Sequence, residues 1–594
     1  MKLQLGLAIF IGCLGTVYAA DPTGCPEFSV DLPRTLSGPV IRATDYGFST
    51  ASSNNAAALT AAFQAARALG AHRVLLAPGT YLCHDRQGVR AEGLKDVEID
   101  GAGAVLVFYR PSDFHDQPQW VNPHSGSSFF LHDCTRVVIR NLHMDWDWER
   151  DPLAAFVRVE AKNEGSRGQS DSSLDLVFED YVRHPLYGQP MPVQTFAAIE
   201  ESHEGFRPGE GAYFGQSEGH FGCRMRWLSE NRIRVWPYVK SDCGPYSTQY
   251  LNRGTAENNY LRVKARRVGE LIRLAHYYYG KNCFVVENGS HITFDAVNIY
   301  STRGMGWVFD GTIHHVYLRQ CNVVPPHRLN VSVSGPPKRP ITTTADVIHI
   351  SHGSQGWFKV EDFAAAMNQD DIYNFHDRTT WAAKTAPRAL TVVQQRGIAY
   401  FKPNVGDEIE LLAPDFSTTG FRAHIMSLEN ETMLLDRDLP DRFREPALVL
   451  DRARNTANIH IRNSLHEGAS GRCCLLAPNV TLEGLVIRHS PSTGIKLQMA
   501  TSRDKWSEGY GCTNAIIRHC ILEDINGREK RMFGTVCDIF VGYNTNGKTP
   551  LGRPVPDRVG DILFEDNTFI RPRGKTIFNV GAASVIERRS QVIR

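Results

Sequence analysis

Short stretches in which every second residue is apolar recur along most of the chain, and polar turns separate them. Examples are residues 137–146, 291–300, 315–324, 480–489, 514–524 and 561–570. An apolar/polar period of two predicts β-strands. The equivalent positions His291 and His315 are 24 residues apart, which matches one coil of a solenoid built from short parallel strands.

The turns inside these repeats are rich in asparagine, aspartate and glycine. They favour a right-handed parallel β-helix, and hence an all-β fold, over a sandwich or a propeller, which also contain many short strands. The clearest helical period covers residues 54–69 and is followed by a strand over residues 74–83. We expect this helix to cap the open N-terminal end of the coil, because an uncovered sheet edge promotes aggregation.

Two stretches interrupt the repeat, residues 151–268 and 388–454. Both are predicted to be inserted β-rich subdomains, and the strand pattern of the second favours a small barrel. Such insertions often form the walls of a substrate cleft on a solenoid. The predicted order is a signal peptide (1–19), a cap with the first coils (20–150), the first insertion (151–268), central coils (269–387), the barrel (388–454) and C-terminal coils (455–594).

Charge and the N-terminus narrow the functional classes. The chain of 594 residues has a formal net charge of +1, which argues against a nucleic-acid partner. Lys2 followed by an apolar run and Val17-Tyr18-Ala19 predicts a secretory signal peptide, with a lipoprotein site at Cys13 as the alternative. We therefore expect export to the periplasm or the extracellular medium without a membrane span.

Of the cysteines, we expect a few in disulfides and the rest as buried thiols.

Three aspartates on neighbouring coils form the strongest chemical pattern. Asp346 precedes Asp370 by 24 residues and Asp371 by 25, which is one coil. Adjacent parallel strands lie about 4.8 Å apart, so these carboxylates should crowd one patch of the surface. Like charges so close raise at least one pKa, which provides an acid and a base at the same pH. His349 and His376 lie nearby and could bind sugar hydroxyls.

Other interpretations of the three aspartates exist. Aspartate favours turns throughout a β-helix for structural reasons, and oxygen ligands also suit calcium. Polysaccharide lyases of this fold combine calcium with a basic residue, and neither of the two aspartate-bearing strands carries Lys or Arg. The sequence therefore favours an acid–base site without a metal or another cofactor.

Several segments resemble glycoside hydrolase family 110, the α-1,3-galactosidases of the pectate-lyase-like β-helix superfamily. They are residues 143–147, 271–308, 368–376 and 505–511, and the resemblance covers most of the chain. The aspartate segment departs from the family pattern at Tyr373 and Asp377. The Gly-His-Gly and Arg-x-Lys segments of polygalacturonases are not found after it, which argues against a galacturonan substrate.

The resemblance implies an inverting, exo-acting α-galactosidase. It makes Asp370 the general acid that protonates the leaving oxygen, while Asp346 and Asp371 position and deprotonate water. Sugar contacts are predicted for His349, His376, Arg303, Trp506 and Glu508. Trp506 is equally well explained as a core aromatic residue.

Two other functions stay open at this stage: a calcium-dependent polysaccharide lyase and a non-catalytic glycan-binding β-helix. The expected partner in each case is a glycan, galactose-containing for the hydrolase, with no nucleic acid and no membrane. A homodimer is left open by the sequence.

Overall fold

The computed structural model describes most of the chain after the predicted signal peptide, which lies outside the described residues. The described residues are 21–34, 37–109, 127–189, 191–207, 210, 224–237, 256–394, 397–441, 443, 446–468, 471–501, 507–509, 511–525, 535–544 and 558–594. Among them, no helix is long and apolar enough to cross a membrane.

The main body is a stack of coils whose strands pair in parallel with the coil before and the coil after. In the first part its strands are Val40–Arg42, Arg73–Leu75, Thr80–Cys83, Val89–Glu92, Lys95–Phe108 and Phe129–Trp146. In the middle they are Phe284–Asp295, Asn298–Ile299, Trp307–Arg319, Asn322–Val323, Ile348–Ala366 and Tyr373–Phe375. The predicted all-β, right-handed parallel β-helix is confirmed.

The C-terminal coils continue the same stack. Their strands are Ile459–Glu467, Cys473–Leu475, Val480–Glu483, Val486–Arg488, Ile495–Thr501, Ser507–Glu508, Cys512–Arg518, Ile521–Glu523, Cys537–Asn544, Val559–Glu565, Thr568–Ile570, Lys575–Val580, Ala583–Arg588 and Gln591–Ile593. Apolar side chains from successive coils fill the interior as one continuous core. The 24-residue spacing of His291 and His315 is one coil, since Ile292 pairs with Val316.

The N-terminal end is covered by the helix Ala56–Leu69, close to the predicted range. Its apolar face buries Leu59 and Phe63, and Phe63 packs on Phe129 of the β-helix interior. In the described part of the chain, the other helical segments are Ala43–Tyr46, Ala256–Lys264, Pro326–Leu329 and Gly397–Phe401.

One corner of the coil, which we call the first corner, is formed on ten successive coils by a residue in the left-handed backbone region. The ten residues, with φ between 49° and 65°, are Asp96, Arg136, His291, His315, Trp357, Asn458, Asn479, Asn514, Asp561 and Ser584. Asparagine tolerates this conformation well. The Asn479 amide donates to Asn458 at 2.9 Å and the Asn514 amide donates to Asn479 at 2.8 Å, so side chains also connect the coils.

Residues 21–34, which we call the N-terminal strap, run along this corner. Fourteen extended residues span about 45 Å, and ten coils at about 4.8 Å spacing span about 43 Å. The strap contacts, in order from its first residue to its last, are Asp21–Arg588, Thr23–Asn514, Cys25–Thr481, Glu27–Lys359, Phe28–Trp357, Asp31–His291 and Arg34–Asp96. It therefore follows the β-helix from its last coil to the coil of Asp96, which is two strands from the N-terminal end of the stack.

Two antiparallel units interrupt the coils. A six-stranded sheet contains Ala154–Asn163, Ser173–Phe178, Thr195–Ala198, Arg224–Ser229, Arg232–Trp236 and Leu271–Ala275. A closed barrel contains Thr379–Ala386, Ala389–Val392, Glu408–Leu412, Thr418–Glu429, Thr432–Leu435 and Ala447–Asp451. The last strand of the sheet, Leu271–Ala275, lies after the predicted boundary at 268, and the first strand of the barrel, Thr379–Ala386, lies before the predicted boundary at 388. The last sheet strand is buried at all five positions and the first barrel strand at its first four, so neither shows an apolar/polar alternation that would mark where the unit begins or ends.

The expectation of disulfides is wrong for the described cysteines. Ten described cysteines are buried and form no disulfide, namely Cys25, Cys83, Cys134, Cys283, Cys321, Cys473, Cys474, Cys512, Cys520 and Cys537. Within the described residues, cysteine serves as a small apolar side chain, which is the other half of that expectation.

Candidate active site

The three predicted aspartates converge in the structure. Asp346 lies just before the strand Ile348–Ala366, and Asp370 and Asp371 lie just before Tyr373–Phe375 on the next coil. One carboxylate oxygen from each lies within 4.8 Å of the others, and all three side chains are buried. The turns hold them together because the amide N–H of Asp371 donates to Asp346 Oδ1 at 3.1 Å and to Asp370 Oδ1 at 3.0 Å.

Asp346 is held by polar groups on the outer face of two strands. Its Oδ2 lies 2.6 Å from His349 Nδ1 and accepts from the Asn374 amide at 3.5 Å. His349 and Asn374 are paired neighbours on adjacent coils, while Ile348 and Ile350 on either side of His349 are fully buried in the core. Burial lowers the pKa of His349 to about 4. The neutral ring can donate its Nδ1 proton to the carboxylate, which makes Asp346 suited to a base.

Asp371 is fixed by Arg472 on the following coil. The guanidinium donates from Nε to Oδ1 at 2.7 Å and from Nη2 to Oδ2 at 2.9 Å, and the Arg472 amide N–H also reaches Oδ1 at 3.0 Å. A bidentate buried pair of this kind sets both the charge and the orientation of a carboxylate. The preceding residue has to be glycine, because a Cβ on Gly471 would stand 2.0 Å from the carbonyl oxygen of Asp370.

Asp370 receives two phenols from the segment that connects the six-stranded sheet to the β-helix. Tyr278 donates to Asp370 Oδ2 at 2.7 Å and Tyr279 donates to the same oxygen at 3.0 Å. The rings of the two tyrosines pack edge to face with centroids 4.4 Å apart. The oxygen that they contact is therefore oriented by groups from outside the aspartate-bearing coils.

Electrostatics separate the three carboxyls. Burial and the negative charges of Asp346 and Asp371 raise the pKa of Asp370 well above its ordinary value. Burial and the charge of Asp371 also raise the pKa of Asp346. Asp371 has its own buried cation in Arg472, so the interacting pair Asp346 and Asp370 is where a proton is retained. The cluster thus contains a carboxylic acid next to carboxylates, which is the requirement for general acid–base chemistry.

We expect Tyr279→Phe to move the alkaline limb of the activity profile to higher pH. The phenol donates to the ionised form of Asp370 and so lowers its pKa. Losing a hydrogen bond of about 1.5 kcal/mol to a charged group raises that pKa by about one unit, so the acid stays protonated to higher pH. Plots of kcat/KM against pH measure the shift. Tyr300→Phe, which removes a phenol beside His143, is the matched control and should leave the limb in place.

Of the other residues predicted to contact sugar, three lie in the described part of the chain. His376 and Glu508 lie beside the cluster, with His376 Nε2 3.8 Å from Glu508 and the His376 ring 5.2 Å from that of His349. Arg303 stacks on Tyr277 at 3.9 Å and pairs with Asp151 at 3.7 Å, next to the two tyrosines that reach Asp370. Trp506 lies outside the described residues.

The two departures from the family pattern have structural explanations. Tyr373 is fully buried in the coil interior and its hydroxyl reaches Ser464 at 3.3 Å. Asp377 accepts from the amide and the hydroxyl of Thr456, both at 2.8 Å, where the chain returns from the barrel. Both substitutions therefore serve packing and chain connection.

Sequence reasoning missed Arg472, Lys496 and the tyrosines at 278 and 279. Arg472 is 101 residues from Asp371 in sequence because the barrel intervenes, although the two lie on successive coils. Lys496 pairs with Cys474, and Cys474 pairs with Asn374. Lys496 therefore continues the row of outward-facing side chains formed by His349 and Asn374, and its side chain is buried, with 1% exposed. The 22-residue interval between Cys474 and Lys496 differs from the 24–25-residue interval of the aspartates, so the spacing found for the aspartates does not identify Lys496.

The chain finds no match among protein-family models and none among curated proteins. Similar solved structures include an exopolygalacturonase from Thermotoga maritima, with 10% identity over 96% of this chain and 94% of that one and a TM-score of 0.36. An endo-xylogalacturonan hydrolase from Aspergillus tubingensis has 8% identity, coverage of 93% and 92%, and a TM-score of 0.33. A mannuronan C-5 epimerase module from Azotobacter vinelandii has 11% identity, coverage of 92% and 100%, and a TM-score of 0.30. At these values an activity has to be argued from the site itself.

Proposed function

We propose that the protein is a glycoside hydrolase in which Asp370 is the general acid and Asp346 and Asp371 direct the attacking water. The observation that supports this most is the buried cluster of three carboxylates, in which Asp371 alone is paired with a buried arginine of the described part of the chain. Hydrolysis of a glycosidic bond commonly uses one carboxylic acid that protonates the leaving oxygen and one carboxylate on the other side of the scissile bond. The similar solved structures include an endo-xylogalacturonan hydrolase and an exopolygalacturonase, which is consistent with a glycan substrate.

In this mechanism each carboxyl has a defined environment. Asp370 protonates the leaving oxygen, and the phenols of Tyr278 and Tyr279 stabilise the carboxylate that remains. Asp346 takes a proton from water while His349 holds its other oxygen. Asp371, which is held by the guanidinium of Arg472, orients the water. Acid and base groups contribute about 10²–10⁴-fold each to such reactions.

The finer proposal is an exo-acting α-galactosidase for terminal α-1,3-linked galactose, and it rests on the family resemblance. Two of the predicted hydroxyl-binding groups, His349 and His376, are neutral imidazoles, because burial lowers the pKa of each to about 4. Neutral donors and acceptors suit an uncharged sugar ring. A screen of released monosaccharide against α- and β-linked galactosides tests the specificity, and release of unsaturated, ultraviolet-absorbing products instead would identify a lyase.

We expect β-galactose as the first product, formed with inversion. The nearest carboxylate oxygens lie within 4.8 Å, which is shorter than the about 6.5–9.5 Å typical between the carboxyls of inverting enzymes. The inverting outcome therefore depends on the resemblance and has to be measured directly. Proton NMR of the fresh reaction mixture identifies the first anomer. An initial α-anomer would exclude inversion, and long oligosaccharides as first products would exclude exo action.

We also expect activity to survive chelation. Three clustered carboxylates have the spacing of a cation site, but Asp371 is already neutralised by Arg472 and the proposed chemistry uses a proton. Exhaustive dialysis against EDTA followed by assay in metal-free buffer should leave turnover within about twofold, since acid–base catalysis needs no metal. Loss of activity that calcium restores would favour the lyase or a structural calcium ion.

A further inference from the structure

Three histidines outside the aspartate cluster meet at the first corner. His291 and His315 are consecutive residues of that corner, and His314 precedes His315. One ring nitrogen from each lies within 4.8 Å of the others, and all three side chains are partly exposed. The rings of His291 and His315 stack with centroids 4.7 Å apart. This cluster is separate from the aspartates. On the coil of His314, the residue that lies beside Asp346 is Gly306, whose N–H donates to the Asp346 carbonyl, and Gly306 is eight residues before His314.

The ring nitrogens are close enough for a shared ion. His314 Nδ1 and His315 Nδ1 are 2.7 Å apart, so one ring donates to the other. Zinc binds imidazole nitrogens at about 2.0–2.1 Å, which places tetrahedral ligands about 3.3 Å from one another. The ring nitrogens of the three histidines lie within 4.8 Å of one another, so side-chain movements of at most about 1.5 Å would bring them to the ligand–ligand distance of about 3.3 Å.

The chemistry of the ligand set favours a particular class of ion. Imidazole nitrogens suit zinc, copper and nickel, and three of them from His291, His314 and His315 lie within 4.8 Å of one another.

We propose that His291, His314 and His315 form a binding site for a divalent transition-metal ion of the zinc class. The site lies under the N-terminal strap: the amide of Asp31 donates to His291 Nδ1 at 2.9 Å, and Phe28 packs edge-on against the His315 ring. A neutral imidazole has a single lone pair, so coordination by His291 replaces the hydrogen bond from Asp31. The ion and the strap's Asp31 amide thus compete for the same ring.

The test is titration of the full chain, purified without a polyhistidine tag, with Zn²⁺ alone. Isothermal titration calorimetry at pH 7 should give one site per chain, and excess Zn²⁺ should raise the Tm because it binds the folded form. His291→Asn and His315→Asn each remove one ligand and should weaken zinc affinity by at least about 100-fold, since losing even an outer partner of a ligand costs 10–100-fold.

Asparagine is the substitution of choice because Asn458, Asn479 and Asn514 occupy the same corner on other coils with the same backbone conformation. The variants should therefore fold, and circular dichroism with an unchanged Tm in EDTA would verify that. His519→Asn is the matched control: His519 is exposed, has a φ of 54° and lies at another corner. Zinc affinity equal to wild type in both Asn variants, or no stoichiometric binding by the wild type, would overturn the proposal.

Discussion

Asp370→Asn is expected to reduce hydrolysis by about 10²–10⁴-fold while the protein stays folded. The amide is nearly isosteric with the carboxyl and can still accept from Tyr278 and Tyr279, but it has no proton for the leaving oxygen. Asp346→Asn and Asp371→Asn should each lose most activity as well, because they remove the groups that direct water. Initial rates on a galactoside that the wild type cleaves measure the effect.

The matched control for these variants is Asp362→Asn. Asp362 belongs to the same long strand as His349, is exposed at a corner with φ of 52° and accepts from the Asn463 amide. It should keep wild-type turnover. If all three aspartate variants also kept near wild-type turnover, the assignment of the active site would be wrong.

Arg472→Met is expected to lower both stability and activity. Removing one partner of a buried ion pair leaves an uncompensated charge and costs about 3–5 kcal/mol of unfolding free energy. Asp371 would then be a buried carboxylate beside two others, and its orientation toward water would be lost. Urea denaturation gives the change in stability, and initial rates give the change in activity.

Two further variants separate the stability effect from the catalytic effect. The double variant Asp371→Asn with Arg472→Met removes both charges, and we expect it to be more stable than Arg472→Met alone and still inactive. Arg571→Met removes an exposed arginine that pairs with Asp524 and should change neither property, because solvent screens such pairs. Equal stability of Arg472→Met and wild type would show that the ion pair does not stabilise the fold.

The coil was predictable because its sequence signal is local and repeated. Ile348 and Ile350 point into the core with His349 between them, and the same alternation recurs wherever a strand stacks on the next coil. The register of Asp346 with Asp371 followed from the 24–25-residue interval, and the amide of Val347 does donate to the carbonyl of Asp371.

The rest of the site was hidden because contacts across insertions leave no fixed interval. Tyr278 and Tyr279 enter from the six-stranded sheet, and Arg472 returns to the site only after the barrel. The disulfide expectation failed among the described cysteines for a related reason. Counting cysteines does not reveal that thiols such as those of Cys473 and Cys520 point into an apolar coil.

The N-terminal strap changes how the stack of coils should unfold. In a solenoid each repeat stabilises its immediate neighbours, so the ends can fray independently of the centre. Here Asp21 pairs with Arg588 across 567 residues, and Arg34 contacts the coil of Asp96. Contacts of such sequence separation form late, after the last coil is in place. Once they form, the last coil and a coil near the N-terminal end share one segment, and loosening either of these coils costs contacts at the other, so the strap converts a linear array into a single cooperative unit.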